Sequence, residues 1–319
     1  IFFRFLRWLY AEWPPSPFVM DGIRPFYDTL SEVLLLPKLP KYVEGEQPTD
    51  VKYKMNVKSE DAPAYMRHPY IMKGYRVGGD HWRCLQSLFE LHNETLNAWT
   101  MVISSAASCV LLAYVLKTLP WGWDILPFAV LTFSAVIHMP FSVANHTFIP
   151  ISYETYTFWK LLDLDFIFVA SSFMSFSLSY FVFPIWAVIL NVAITVAVSF
   201  CSIRSFHMNV HKLSPENPMY PRQVQMVGCA VACYWFPMFS IILQELWELR
   251  LGTPSFFAGG AIASLVVGAY VFATGWPQKH APGSLDFFMN SHQLMHWTLL
   301  SAHLCEYAFL YCLYLQQVP

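Results

Sequence analysis

The last apolar stretch of the chain carries two histidines four residues apart, His292 and His296, in "SHQLMH" (291–296). Residues i and i+4 are neighbours on one helix face, so both imidazoles can approach one ion, as the histidines of H-E-x-x-H do. The spacing alone is a weak signal, because two histidines can also hydrogen-bond across helices. His207 and His211 share it in a polar loop, where nothing excludes water and no third ligand is in sight; that pair reads as solvated. Ionisable groups in apolar surroundings are costly and are functional candidates by default. Besides the pair, they are His138, His146, Asp163, Asp165, Glu245, Glu248, His303 and Glu306. A histidine from a second helix, His138 or His146, would complete three neutral imidazoles around an open fourth position, as in catalytic zinc sites. Asp163 could then act through water at the metal, since zinc lowers the pKa of such water towards ~7.

Such a cluster needs helices to position it, and the composition points to a membrane. Of 319 residues 56% are apolar and 13% charged, against about 25% charged in soluble domains. The net charge of −2 argues against a nucleic-acid partner. The chain begins at Ile1 rather than Met, so preceding residues are expected, and "IFFRFLRWLYAEWPP" mixes charges and Trp into its apolar run, unlike a secretory signal. The seven cysteines lie mostly within apolar runs and read as small buried hydrophobes.

Seven apolar segments are expected to span, at roughly 97–119, 124–149, 161–183, 184–204, 222–246, 256–276 and 286–315. Each reaches the ~20 residues that a helix needs to cross ~30 Å of hydrocarbon. Only Pro184 separates the third from the fourth. Residues 1–95 hold 12 of the 19 Lys and Arg and form an expected cytoplasmic region, with "FFRFLRWLY" and "FYDTLSEVLLL" as candidate surface-lying amphipathic segments. With the N-terminus in the cytoplasm, Lys160, Arg204, Lys212, Arg222 and Lys279 also fall inside, and only Lys117 and Arg250 fall outside. The odd number of spans then puts the C-terminus outside. The expected fold is an all-α bundle of seven transmembrane helices, residues 96–319, behind the region 1–95.

Three blocks carry a resemblance: "GYRVGGDHWRCLQSLFELHNETLNAWT" (74–100), "SVANHTF…FWKLLDLD" (142–165) and "SHQLMH" (291–296). In this order they resemble the signature blocks of the progestin and adipoQ receptor family, which includes haemolysin-III-like proteins. "HNET" is nearer to its membrane progestin receptor branch. The resemblance covers about 74–315. It implies seven helices with a cytoplasmic N-terminus and a zinc ion bound by one histidine of span two and by His292 and His296. It also implies an aspartate of span three, Asp163, serving the metal through water, and a serine four residues before the span-two histidine. Span two repeats that pattern, as Ser134 with His138 and as Ser142 with His146. The 17 residues from His146 to Asp163 match the family spacing and the 25 from His138 do not, so His146 and Ser142 are the expected pair. Met101 stands where the family usually has histidine, and Asp165 adds a second carboxylate.

Two functions follow from the resemblance. One is a multi-pass membrane receptor for a steroid, lipid or hormone ligand, in the plasma membrane or an endomembrane. The other is a zinc-dependent intramembrane hydrolase of lipid amides, ceramidase-like, with Asp163 as base. A transporter lacks support, since no half-helix repeat or charged pathway stands out.

Overall fold

A computed structural model describes residues 52–208 and 220–317. The two amphipathic stretches near the N-terminus, and His211, lie outside these residues. Among the described residues seven helices are long and apolar enough to cross a membrane. They are α1 (Thr95–Thr118), α2 (Leu126–Phe148), α3 (Tyr153–Ser179), α4 (Ile185–Met208), α5 (Tyr220–Trp247), α6 (Thr253–Thr274) and α7 (Ser291–Gln317). Each helix packs on the next, and α7 returns to α1, which closes the ring; α3 also packs on α5.

Two boundaries differ most from expectation, and both matter for the site. Helix α3 begins eight residues early (153 rather than 161), because Ser152 caps it: its Oγ accepts from Thr155 N at 3.1 Å, and Glu154 sits in the first turn. Asp163 therefore lies ~10 residues, or ~15 Å, along the helix rather than at its start. Helix α7 begins five residues late (291 rather than 286). Asn290 Oδ1 accepts from Gln293 N at 3.1 Å, while Gln278 Oε1 accepts from Ser291 N and Gln278 Nε2 donates to Ser291 Oγ, both at 2.7 Å. Ser291 thus serves the helix start, and His292 and His296 occupy its first two turns. The break at Pro184 is real, with a turn over 180–184.

Lacking water, the helices pair through close approach and interhelical hydrogen bonds. Gly268 of α6 faces Thr298 of α7 with no room for a Cβ, and Ser264 Oγ lies 3.1 Å from Ser301 Oγ. Between α3 and α4, Asn191 Nδ2 donates to Ser175 Oγ at 2.8 Å and to Ser179 Oγ at 2.9 Å. The main apolar core fills the half of the bundle away from the start of α7, around Phe128, Leu131, Met238, Phe309 and Leu310.

Residues 52–94 cap the other end, where α2 stops and α7 starts. A two-stranded antiparallel sheet, β1 (Lys54–Val57) with β2 (Tyr75–Val77), leads into a short helix over His81–Gln86. Arg76 is buried and donates to Ser87 Oγ, to His146 O at 2.7 Å and to Thr147 O at 3.2 Å. A cation thereby satisfies carbonyls that the end of α2 leaves unpaired, at the negative pole of its dipole. Burial lowers the Arg76 pKa from its ordinary value. Further ties join Gly78 N to Pro150 O (2.8 Å), Met72 N to Asp286 Oδ1 (2.9 Å) and Gly283 N to Tyr70 O (3.2 Å). At Gly74, φ of +88° and the Phe287 ring against the Cα leave no place for a side chain.

Candidate metal centre

The last turn of α2 and the first two turns of α7 meet under the cap, and there the structure brings His146, His292 and His296 together. One ring nitrogen from each lies within 4.8 Å of the others. Ring centroids are 5.0 Å apart for His146–His292, 5.4 Å for His146–His296 and 4.8 Å for His292–His296. Phe272 closes one side, 5.2 Å from the His292 ring.

The outer partners decide which nitrogen each histidine can offer. His146 Nδ1 is 2.8 Å from Glu94 Oε2, and a carboxylate only accepts, so Nδ1 carries the proton. His296 Nδ1 is 3.1 Å from Asn97 O, again an acceptor, and 2.8 Å from Thr100 Oγ1. The Thr100 hydroxyl itself donates to Leu96 O at 2.7 Å. With Nδ1 of both rings engaged by these partners, Nε2 is the nitrogen that each leaves for a cation. Second-sphere partners of metal-bound histidines do this work. The donor set of three imidazoles fits a zinc-type ion, which takes nitrogen at ~2.0–2.1 Å and leaves a fourth position.

The carboxylate behind His146 belongs to Glu94 of the "HNET" block, where His92, Asn93 and Glu94 match the family and Asn93 and Glu94 suit a helix start; the contact of Glu94 with His146 does not follow from the sequence. Glu94 is 3% exposed; besides His146, its Oε2 accepts from Asn97 Nδ2 at 2.7 Å, and its Oε1 lies 2.9 Å from His68 Nε2 of the cap. Burial would raise its pKa, but His68 and His146 outweigh burial and hold it well below the usual carboxylate range. The neighbouring His92 is a different case. Burial, helped by the Arg76 charge, pushes its pKa down to about 2. Its Nε2 lies 3.1 Å from Ser87 O and its Nδ1 accepts from Glu94 N at 3.1 Å, so it is a neutral strut of the turn before α1.

The remaining sequence candidates are placed as follows. Ser142 is buried one turn before His146 on α2. Asp163 is held by His138, whose Nε2 is 2.9 Å from Oδ1, and by Asn145 Nδ2, 2.9 Å from Oδ2. The deeper position of Asp163 accounts for this pairing: His138 lies equally far from the junction of two antiparallel helices. His138 is thus a partner of Asp163, outside the three-histidine cluster. Asp165 pairs elsewhere, with Oδ2 2.7 Å from His207 Nε2. His207 is therefore buried in the last turn of α4, and the expectation of a solvated histidine in a polar loop does not hold for it. Met101, in place of a family histidine, packs against Leu88, Ala98 and Val143.

Comparison with known proteins shows the family. The family model for haemolysin-III-related proteins matches residues 89–307, which contain every residue of the cluster. The chain belongs to the haemolysin-III-related family. Within that family it is similar to membrane progestin receptor beta of Sus scrofa, 26% identical over 276 residues, and of Homo sapiens, 27% over 278; each alignment covers 82% of this chain and 76% of the relative. Membrane progestin receptor alpha of Homo sapiens is 25% identical over 292 residues, covering 85% of this chain and 81% of the relative. The chain is therefore a multi-pass membrane protein of the haemolysin-III-related family.

Proposed function

We propose that this protein is a membrane receptor for a steroid or related lipid, with a zinc ion bound by His146, His292 and His296 and its N-terminal region, residues 1–95, in the cytoplasm. The observation that carries the reading is the convergence of three imidazoles, two with their outer nitrogens already committed. Burying such groups at the inner end of a helical bundle is costly, and a bound cation offsets that cost. The relatives are named membrane progestin receptors, and progestin supplies the proposed ligand class. The decisive experiment has two arms on purified protein in lipid. Elemental analysis should return one zinc per chain, lost in the His292→Ala, His296→Ala double variant. A labelled progestin should bind saturably and be displaced by unlabelled steroid. Unchanged zinc in the double variant sinks the metal assignment, and the absence of displaceable steroid binding sinks the receptor assignment.

A second reading rests on a separate feature, the half-buried carboxylate Asp163 on the helix that packs against α2. Three protein ligands leave a coordination position open, and zinc there would polarise a carbonyl. Asp163, fixed by His138 and Asn145, is then the group that takes and returns the proton in hydrolysis of a lipid amide. Ser142, one turn from His146, is the nearby hydroxyl that would orient the substrate.

A further inference from the structure

We propose that Glu94 is a positioning residue of the metal centre and that, through His68, it ties metal binding to the docked cap. The proposal rests on the zinc reading above and extends it to a residue that is not itself a ligand.

Glu94 is the residue that enters α1, where a polar side chain ordinarily accepts a hydrogen bond from the first turn. It makes no such cap bond. Its carboxylate turns away from the helix start and is spent on His146 Nδ1 at 2.8 Å, Asn97 Nδ2 at 2.7 Å and His68 Nε2 at 2.9 Å. A fourth, weaker contact comes from Asn93 Nδ2 at 3.4 Å. Burying a charge costs several kcal/mol unless partners and hydrogen bonds compensate, so capping alone does not account for a carboxylate here. A carboxylate on the outer nitrogen of a metal-binding histidine fixes the tautomer, sets the ring orientation and strengthens the inner nitrogen as a donor. Glu94 has the geometry for all three on His146. It also adds one negative charge behind three neutral ligands that face a dication.

His68 brings the cap into the same unit. Its backbone N–H donates to Tyr75 Oη at 2.9 Å, and that hydroxyl donates to Ile71 O at 3.1 Å, so β2 holds His68 in place. The His68 ring stands edge-on to His292, with centroids 6.4 Å apart. Its Nε2 is at ion-pair distance from Glu94 but off the line of a good hydrogen bond. Undocking the cap would remove this partner from Glu94 and open the His292 side of the cluster.

The test uses the full chain purified in lipid and stripped of metal. Zinc affinity is measured by competition with a chromophoric chelator for wild type, Glu94→Gln, Glu94→Ala and His68→Ala, and the visible spectrum is recorded with Co²⁺ at saturation. Loss of an outer-sphere partner typically weakens metal binding 10–100-fold. We expect about 10-fold for Glu94→Gln, which keeps an acceptor for Nδ1–H but loses the charge, and up to about 100-fold for Glu94→Ala. His68→Ala should shift affinity in the same direction by less. At full occupancy the cobalt bands should move in Glu94→Gln, because His146 becomes a weaker donor; a merely structural role leaves them in place. If Glu94→Ala does not fold, the near-isosteric Glu94→Gln and the peripheral His68→Ala carry the test. Wild type that binds no zinc overturns the metal reading itself. Wild type that binds zinc, with Glu94→Gln and His68→Ala unchanged in affinity and cobalt spectrum, overturns this proposal and leaves the metal reading standing.

Discussion

A neutral imidazole offers a metal only its unprotonated nitrogen, so the partner of the other nitrogen decides what each histidine is for. By that criterion the two histidines of α2 part company. His146 points its proton at Glu94, whereas His138 Nε2 is engaged with Asp163. His146→Ala should therefore lower zinc content, while His138→Ala should spare it and destabilise the fold by about 1–3 kcal/mol, the cost of an unsatisfied buried acceptor. Metal analysis beside thermal unfolding separates the two, and the reverse pattern would move the metal two turns up α2. Asp163→Asn should also keep zinc, since both oxygens bond to side chains and not to the cluster. If lipid-amide hydrolysis is present, that variant should lose it by ~10²–10⁴-fold, the usual contribution of a proton-transfer group; full retained hydrolysis would remove Asp163 from the chemistry. The His292/His296 pair could be read from sequence because both ligands lie on one helix, where period alone aligns them. Glu94 could not: it is 52 residues from His146, and only the docking of α1 against α2 joins them. The same holds for His207 and Asp165, 42 residues apart and joined by the packing of α3 on α4.

Helix ends do the positioning here, and their signals differ in strength. The cap at Ser152, with Glu154 behind it, follows ordinary capping rules, yet hydropathy starts span three only at 161 because "YETYTFWK" looks polar. Amphipathic first turns at a membrane surface evade apolar-run counting for that reason. At the start of α7 the opposite error arises, since "DFFMN" (286–290) is apolar but turns before the helix begins. Arg76 is the element-scale device that no run length reveals. Arg76→Met would leave Ser87 and the carbonyls of His146 and Thr147 without their donor, at the proposed metal ligand itself. We expect a loss of roughly 2–4 kcal/mol, with Arg76→Lys recovering part of it, read as a lowered Tm in detergent. A melting temperature equal to wild type would mean that water replaces the guanidinium and that the cap does not depend on it. On the far side of α7, Gly268→Val puts branched carbon where Thr298 already sits. Overpacking of this kind costs about 1–3 kcal/mol, and it should loosen α6 from α7 without touching a ligand.

Across the whole molecule, the two ends of the bundle differ in chemistry, and the difference supports the proposed orientation. The capped end carries Lys52, Lys54, Lys58, Arg67, Lys73, Arg76 and Arg83, with Lys160, Arg204 and Lys279 on or beside the helices that reach it; the opposite end has Lys117 and Arg250. That opposite end instead exposes Trp121, Trp123, Trp186 and Trp247, a belt suited to the interface between headgroups and hydrocarbon. Basic residues concentrate on the cytoplasmic side, which supports the proposed orientation, with the cap and the three histidines in the cytoplasm and, after seven crossings, residue 317 outside. Epitope tags at the two termini, probed in intact and permeabilised cells, should report opposite sides, with only the C-terminal tag labelled before permeabilisation. An acceptor site for N-glycosylation placed between Trp121 and Trp123 should be modified, and one placed beside Lys279 should not. Both tags on one side would require an even number of crossings, and both inverted would place the metal site outside. The proposed orientation also sets the expected route to the three histidines. His292 and His296 lie in the first two turns of α7, within ~10 Å of its start at 1.5 Å per residue. On that orientation, a lipid that reaches them would enter from the cytoplasmic leaflet, beneath the cap that we propose His68 and Glu94 tie to the site.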